Sequence, residues 1–161
     1  MSEHTVEPTI EHTVEQWHAF TRGELPGGLD ELLADDVVFL SPVVFTPQRG
    51  KQITAAYLSA AFSTLAGGKP LGAGGDGNES GGGFRYVKQV VSGHTAVLEF
   101  ETTMDGSYVN GVDMITCDDH GLITDFKVMV RPARAVDAVK AQMLAALELF
   151  QAGGAGPDAP G

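Results

Sequence analysis

The sequence predicts an α+β fold, in which N-terminal helices cover one face of a curved antiparallel sheet and a further helix follows the sheet. Apolar residues recur at helical spacing before residue 66, alternate at strand spacing between 84 and 130, and return to helical spacing over 133–151. The chain has 161 residues, of which 43% are hydrophobic and 19% charged. This length and composition suit one domain with its own core, which we expect to span residues 1–152.

The helical pattern predicts three helices before the sheet. The first runs from about residue 9 to 22 and ends before the glycines and proline at 23–28. A short helix follows at 29–33, and a longer one begins after Gly50, with apolar residues at four-residue steps. A short strand is expected between them at 37–40, extended irregularly towards Pro47.

The alternating pattern predicts four strands joined by tight turns. Their expected ranges are 84–91, 95–104, 108–117 and 122–130. Strands joined in this way form an antiparallel meander. A last helix is expected over 133–151, followed by a disordered tail over 153–161.

A glycine-rich segment separates the helices from the meander. Nine of the 17 residues from Gly67 to Gly83 are glycines, which predicts a flexible loop inside the domain. Residues 72–77 match the dinucleotide pattern GxGxxG, but no strand precedes them and no helix can follow, so we interpret the match as chance. A calcium-binding repeat would need stacked copies that are absent from the sequence.

Charge and composition exclude several function classes. The formal net charge of −11 disfavours nucleic acid as a partner, and no apolar run approaches the roughly 20 residues of a membrane span. The acidic N-terminus has no signal-peptide pattern, so we expect a cytoplasmic protein. Cys117 is the one cysteine and the five histidines are not clustered, so neither a disulfide nor a metal site is predicted.

Asp113 is the candidate catalytic residue. Alternation places it on the inner face of its strand, together with Val109, Gly111 and Ile115. Burial among apolar groups raises the pKa of a carboxyl, which can then donate a proton or a hydrogen bond to a ligand oxygen. Alternatively, Asp113 accepts a hydrogen bond from a neighbouring hydroxyl or faces a dimer partner.

Further residues are candidates for lining a ligand pocket around this carboxyl. The aromatic ones are expected to be core residues first, with few of them bordering the cavity itself. The set comprises Trp17, Phe20, Phe39, Ser41, Tyr57, Leu98, Phe100, Phe126 and Val128.

Three stretches of the sequence resemble the nuclear transport factor 2-like superfamily, and within it the SnoaL-like, polyketide-cyclase-like group. They are residues 34–39, 50–53 and 111–123, while 41–45 and 128–132 resemble a bacterial subgroup of unassigned function. The resemblance implies a cystatin-like cone, with the sheet wrapped around the helices and an apolar pocket that needs no cofactor. It also implies a homodimer through the outer sheet face, which would carry Glu99, Glu101, Lys127, Met129 and Arg131.

The resemblance allows the catalytic positions to be compared one by one. Of three ketosteroid isomerase positions, the oxyanion aspartate corresponds to Asp113, the base to Ser41, and the tyrosine to a position near Trp17. Since serine cannot act as that base, steroid isomerase chemistry is not expected. Limonene epoxide hydrolase chemistry is not expected either, because no arginine lies between two acids at the matching positions, among them Glu99 and Val128.

Two functions remain open from the sequence. One is a SnoaL-like isomerase, cyclase or hydrolase-type enzyme that binds a small, mainly apolar molecule and uses Asp113 without a cofactor. The other is a non-catalytic ligand carrier or dimerisation module. A shared fold does not decide between them, because this fold supports many unrelated functions.

Overall fold

The structure is a computed structural model that describes residues 9–65 and 83–154. The predictions of a flexible loop at 67–83 and of a disordered tail at 153–161 fall almost wholly outside these residues. The elements are α1 Ile10–Thr21, α2 Gly28–Leu32, β1 Leu33–Leu40, β2 Gln48–Arg49, α3 Lys51–Leu65, β3 Arg85–Ser92, β4 Thr95–Met104, β5 Ser107–Cys117, β6 Ile123–Arg131 and α4 Ala133–Gly154.

The six strands form one curved, open sheet in the order β2-β1-β6-β5-β4-β3. Strands β3 to β6 are the predicted antiparallel meander, and the α+β class is confirmed. The sheet as a whole is mixed, because β1, outside the meander, pairs in parallel with β6. Helix α3 carries the chain from β2 to β3 at the opposite edge, and the meander then leads back to place β6 beside β1, a long connection of the kind that parallel pairing requires.

The first strand differs from its prediction in length. It begins at Leu33 instead of residue 37, because Leu33 already pairs with Ile123 of β6. The register then shifts before Val38, and Asp35 and Asp36 remain exposed in this irregular stretch. Residues 43–47 do not extend the strand, whereas the two residues of β2 do pair with it.

The helices pack on one face of the sheet and enclose the core. Helix α1 contacts β3, β4 and β5, α3 contacts β1 and β4, and α4 contacts β4, β5 and β6. The predicted inner residues Leu98, Phe100 and Ile115 are completely buried. A hydrogen bond of 2.9 Å from the Thr13 hydroxyl to the Gly121 carbonyl joins α1 to the turn between β5 and β6.

No helix in the described part of the chain is both long enough and apolar enough to cross a membrane.

Candidate functional site

A cavity lies between the inner face of the sheet and helices α1, α3 and α4. Its volume is about 40 Å³, which is room for roughly three waters at 10–15 Å³ each. Its walls are almost entirely apolar. They are formed by Trp17, Thr21, Phe39, Pro42, Leu58, Ala61, Phe62, Phe84, Tyr86, Asp113, Phe126, Val128, Val130, Val139 and Met143.

A chain of two hydrogen bonds crosses the wall of this cavity. The indole Nε1–H of Trp17 donates to the hydroxyl oxygen of Tyr86 over 2.9 Å. The Tyr86 hydroxyl donates in turn to Oδ2 of Asp113 over 2.7 Å. Tyr86 therefore uses its single proton on the carboxyl, and no described residue donates a second hydrogen bond to Asp113.

The sheet register brings the members of this chain together. Asp113 lies on the inner face of β5 between Leu98 of β4 and Val128 of β6, which are its partners on the neighbouring strands. Tyr86 lies two strands away on β3, opposite Phe100. Its side chain therefore extends diagonally over β4 to reach the carboxyl.

A β-bulge at Val87 turns Tyr86 towards the interior. From Ser92 back to Lys88 the residues of β3 pair regularly with β4, but Tyr86 pairs with Phe100 directly after Lys88 pairs with Glu99. Val87 is therefore an additional residue in β3. In a regular ladder Tyr86 would pair with Glu101 on the outer face of the sheet, because a register shift of one residue moves each side chain to the opposite face.

Burial controls the proton affinity of Asp113. Its side chain is 6% exposed, and the loss of hydration raises the pKa of the carboxyl from 3.8 to about 7. The hydrogen bond from Tyr86 opposes part of this rise. Burial, followed by the Asp113 charge, raises the pKa of the Tyr86 hydroxyl well above its ordinary value. Asp113 can thus exchange a proton near neutral pH, while Tyr86 retains its own.

The other polar group in the cavity wall is already engaged. The Thr21 hydroxyl donates to the His18 carbonyl over 2.7 Å. Asp113 and Tyr86 are the titratable side chains among the lining residues that the structure describes. Within the described ranges, no three histidine, cysteine, aspartate or glutamate side chains come close enough together to bind a metal ion.

Five of the ten candidate site residues border the cavity, namely Asp113, Trp17, Phe39, Phe126 and Val128. The other five, Phe20, Ser41, Tyr57, Leu98 and Phe100, do not. Leu98 and Phe100 are fully buried in the core. The Ser41 hydroxyl accepts a hydrogen bond of 3.1 Å from the backbone N–H of Val43, in the turn that ends β1.

The remaining two pack against cavity residues from behind. Phe20 contacts the rings of Trp17 and Phe62, with centroid separations of 5.5 and 5.9 Å. The Tyr57 ring lies 5.4 Å from that of Phe39. These side chains support the wall without forming its surface.

Sequence reasoning missed Tyr86, because alternation counted back from the turn before β4 places it on the outer face. It also missed Val139 and Met143 as cavity residues, although their helical spacing placed them on the buried face of α4. The nearby aromatic Phe84 was a usable signal for Tyr86, since two aromatic residues two apart share one face of a strand.

No protein-family model matches this chain, and none of the curated proteins matches it either. Solved structures do match. A steroid delta-isomerase from Pseudomonas aeruginosa is 32% identical, with a TM-score of 0.73 over 89% of this chain and 94% of that one. This chain belongs to the nuclear transport factor 2-like superfamily.

Other solved structures share the fold at lower identity. A protein with a cystatin-like fold from Silicibacter pomeroyi is 27% identical, with a TM-score of 0.66 over 88% of this chain and 86% of that one. A protein from Jannaschia sp. CCS1, provisionally described as a SnoaL-like polyketide cyclase, is 15% identical, with a TM-score of 0.57 over 88% and 98%. The resemblance seen in the sequence is thereby confirmed for the fold.

Proposed function

We propose that this protein is a cofactor-independent enzyme of the isomerase or cyclase type, which acts on a small, mainly apolar carbonyl compound. The observation that carries the proposal is the hydrogen-bond chain from Trp17 through Tyr86 to Asp113 at the edge of an apolar cavity. A buried carboxyl whose pKa lies near neutrality is suited to general acid–base catalysis, because either protonation state is readily reached.

In the proposed reaction Asp113 moves one proton. Its carboxylate removes a proton from the carbon next to the carbonyl, and the electron pair of that C–H bond passes into an enolate. The protonated Asp113 then returns the proton to another carbon of the conjugated system, so that neither oxidant nor reductant is needed. Once Asp113 is protonated, the Tyr86 hydroxyl is free to donate to the enolate oxygen, where negative charge has formed.

The site differs from a two-acid arrangement. The resemblance assigns the base position to Ser41, whose hydroxyl accepts a hydrogen bond from a local backbone N–H and does not border the cavity. Asp113 would therefore act as base and acid in turn. The cavity of about 40 Å³ is smaller than the roughly 150 Å³ that holds benzene in an engineered protein. Even a single-ring ligand would therefore require the wall to open.

Exchange of carbon-bound hydrogen for deuterium tests the proposal directly. The full chain is incubated in D₂O with β,γ-unsaturated ketones of one to four rings, and both deuterium incorporation and conjugation of the double bond are followed. We expect exchange with at least one ketone, and a loss of roughly 10²–10⁴-fold in Asp113→Asn, the usual contribution of a general base. Asp36→Asn, which removes an exposed carboxyl, is the matched control.

A non-catalytic carrier is the second candidate. The carrier is favoured because Asp113 and Tyr86 are the titratable groups in the described cavity wall, with no further acid or base beside them. Native mass spectrometry of the purified chain distinguishes the two functions. A retained ketone without deuterium exchange would support the carrier, and exchange unaffected by Asp113→Asn would refute the enzymatic role of this residue.

We also propose that two copies associate through the outer face of the sheet. Exposed apolar side chains occur there beside charged ones, including Val90 at 55% and Met129 at 48% exposure. Charged side chains on this face are held in place by their neighbours. Arg131 donates to Asn110 over 2.7 Å, and Asn110 donates to Glu99 over 3.0 Å. Such an ordered polar framework around apolar groups is typical of a protein interface.

A further inference from the structure

Tyr86 is supported by a row of residues that runs across the inner face of three strands. Tyr86 on β3 pairs with Phe100 on β4, and Phe100 pairs with Gly111 on β5. The Phe100 ring lies directly over Gly111. A Cβ atom at that position would collide with the ring and would lie 2.6 Å from the carbonyl oxygen of Met129. The absence of a side chain at Gly111 therefore makes room for Phe100.

Two phenylalanine rings, those of Phe84 and Phe100, pack against the ring of Tyr86. Phe100 stacks on Phe84, with ring centroids 5.0 Å apart and an interplanar angle of 25°. Phe84 meets the Tyr86 ring at 90° over 5.1 Å, and Phe100 meets it at 83° over 6.5 Å. Edge-to-face contacts of this kind favour one ring orientation over the others.

We propose that Phe84, Phe100 and Gly111 form an aromatic bracket that positions the Tyr86 hydroxyl on Asp113 and thereby controls proton transfer at this carboxyl. The inference rests on the proposed function, for which Asp113 is the catalytic residue. The three bracket residues are positioning residues. Tyr86 must cross β4 to reach Asp113, so a small rotation of its ring would separate the hydroxyl from the 2.7 Å hydrogen bond.

The charged and titratable groups near Tyr86 and Asp113 are few in the described part of the chain. From α1, His18 meets the Tyr86 ring at 72° over 5.3 Å and shares a hydrogen bond of 3.1 Å with Gln89. From β4 and β6, the residues opposite Asp113 are Leu98 and Val128. His18 is therefore the neighbouring group whose influence the experiment must separate from that of Tyr86, and His18→Gln serves that purpose.

The bracket is tested on the titration of Asp113, followed by ¹³C NMR of its carboxyl in the full chain. Tyr86→Phe removes the hydrogen bond and should raise the titration midpoint by roughly half to one pH unit. Phe84→Leu and Phe100→Leu should each move the midpoint upwards by less. In the Tyr86→Phe background, Phe84→Leu should cause no further change, because its effect passes through the hydroxyl.

Ile123→Ala is the control for a general loss of packing. Ile123 is fully buried but lies at the start of β6, where it pairs with Leu33 and Cys117 and not with the bracket. It should lower stability and leave the Asp113 midpoint unchanged. Phe84 is only half-buried, so Phe84→Leu keeps the test available should Phe100→Leu fail to fold.

Two results would overturn the proposal: an unchanged midpoint in Phe84→Leu, or an equal shift with and without the Tyr86 hydroxyl. The titration needs no substrate. If the Asp113 midpoints shift as expected but no variant exchanges deuterium, the proposed function is refuted and the bracket stands. If deuterium exchange occurs but the midpoints do not shift, the bracket is refuted and the proposed function stands.

Discussion

The substitution Asp113→Asn should make the protein less sensitive to rising pH. The folded chain holds the Asp113 proton up to about pH 7, whereas an ordinary aspartate releases it near 3.8. Between these two values the unfolded chain loses this proton and the folded chain keeps it. Rising pH therefore favours unfolding over that interval, and asparagine, which does not ionise, removes this dependence.

The size of the effect follows from the two pKa values. The interval from 3.8 to about 7, at 1.36 kcal/mol per pKa unit, corresponds to about 4 kcal/mol. The stabilising contribution is fully present below pH 3.8, decreases through the interval, and is lost once the folded carboxyl has ionised above about pH 7. Since whole domains are stable by only about 5–15 kcal/mol, the change is easily measured.

The assay is chemical denaturation of both chains at a series of pH values from 4 to 8. The quantity compared is the difference in unfolding free energy between Asp113→Asn and the natural chain. This difference should move in favour of the variant by about 4 kcal/mol over the series. The altered hydrogen bond with Tyr86 adds a constant offset, and Asp36→Asn controls for the loss of one negative charge.

A difference that stays constant between pH 4 and 8 would refute the reasoning. It would mean that the Asp113 carboxyl titrates as it does in the unfolded chain, and thus that burial does not control its proton affinity. A difference that moves in favour of the natural chain would mean that the folded protein stabilises the carboxylate instead.

Three further predictions concern the pH profile of exchange, the Thr54 hydroxyl and the outer face of the sheet. Deuterium exchange should rise with pH through about 7 as Asp113 ionises, and Tyr86→Phe should move the midpoint of this profile upwards; a flat profile would contradict the role of the carboxyl. Thr54→Val should raise the unfolding free energy by about 1 kcal/mol, as judged by denaturation, because the buried Thr54 hydroxyl has no hydrogen-bond partner among the described residues. Glu99→Lys with Glu101→Lys should lower the mass found by light scattering, because the change removes the 2.9 Å Arg85–Glu101 pair and places positive charge on the proposed interface; an unchanged mass would place the interface elsewhere.

Local sequence signals were sufficient for most of the fold. The boundaries of β4 and α1 follow from alternation, helical spacing and the glycines that end each segment. The partner of β1 could not be predicted in this way, because no local signal in Leu33–Leu40 indicates β6, which begins at residue 123. Long-range parallel pairing depends on how α3 and the intervening strands pack, and this lies outside any window of sequence.

The acidic member of the site was predictable and its hydrogen-bond donor was not. Asp113 interrupts an otherwise apolar inner face, so regular alternation was enough to bury it. Tyr86 precedes a bulge, where the two-residue period fails. No glycine or proline lies next to Val87 in the sequence to indicate the bulge. When a site includes residues of an irregular strand, periodicity therefore predicts only its members on the regular strands.

Deletion of single valines from β3 examines this explanation. Without Val87 the ladder becomes regular, and Tyr86 still pairs with Phe100 because Lys88 already pairs with Glu99. We expect this variant to fold and to leave the Asp113 midpoint unchanged, because the Tyr86 hydroxyl still reaches the carboxyl. Deletion of Val90 shortens the strand equally, but a regular ladder then places Lys88 opposite Leu98 on the buried face, where an unpaired charge is costly. Equal losses of stability in the two deletions would show that Val87 is not a mere insertion in the ladder. A midpoint raised as far as in Tyr86→Phe would show that the twist of the bulge itself directs Tyr86 towards the carboxyl.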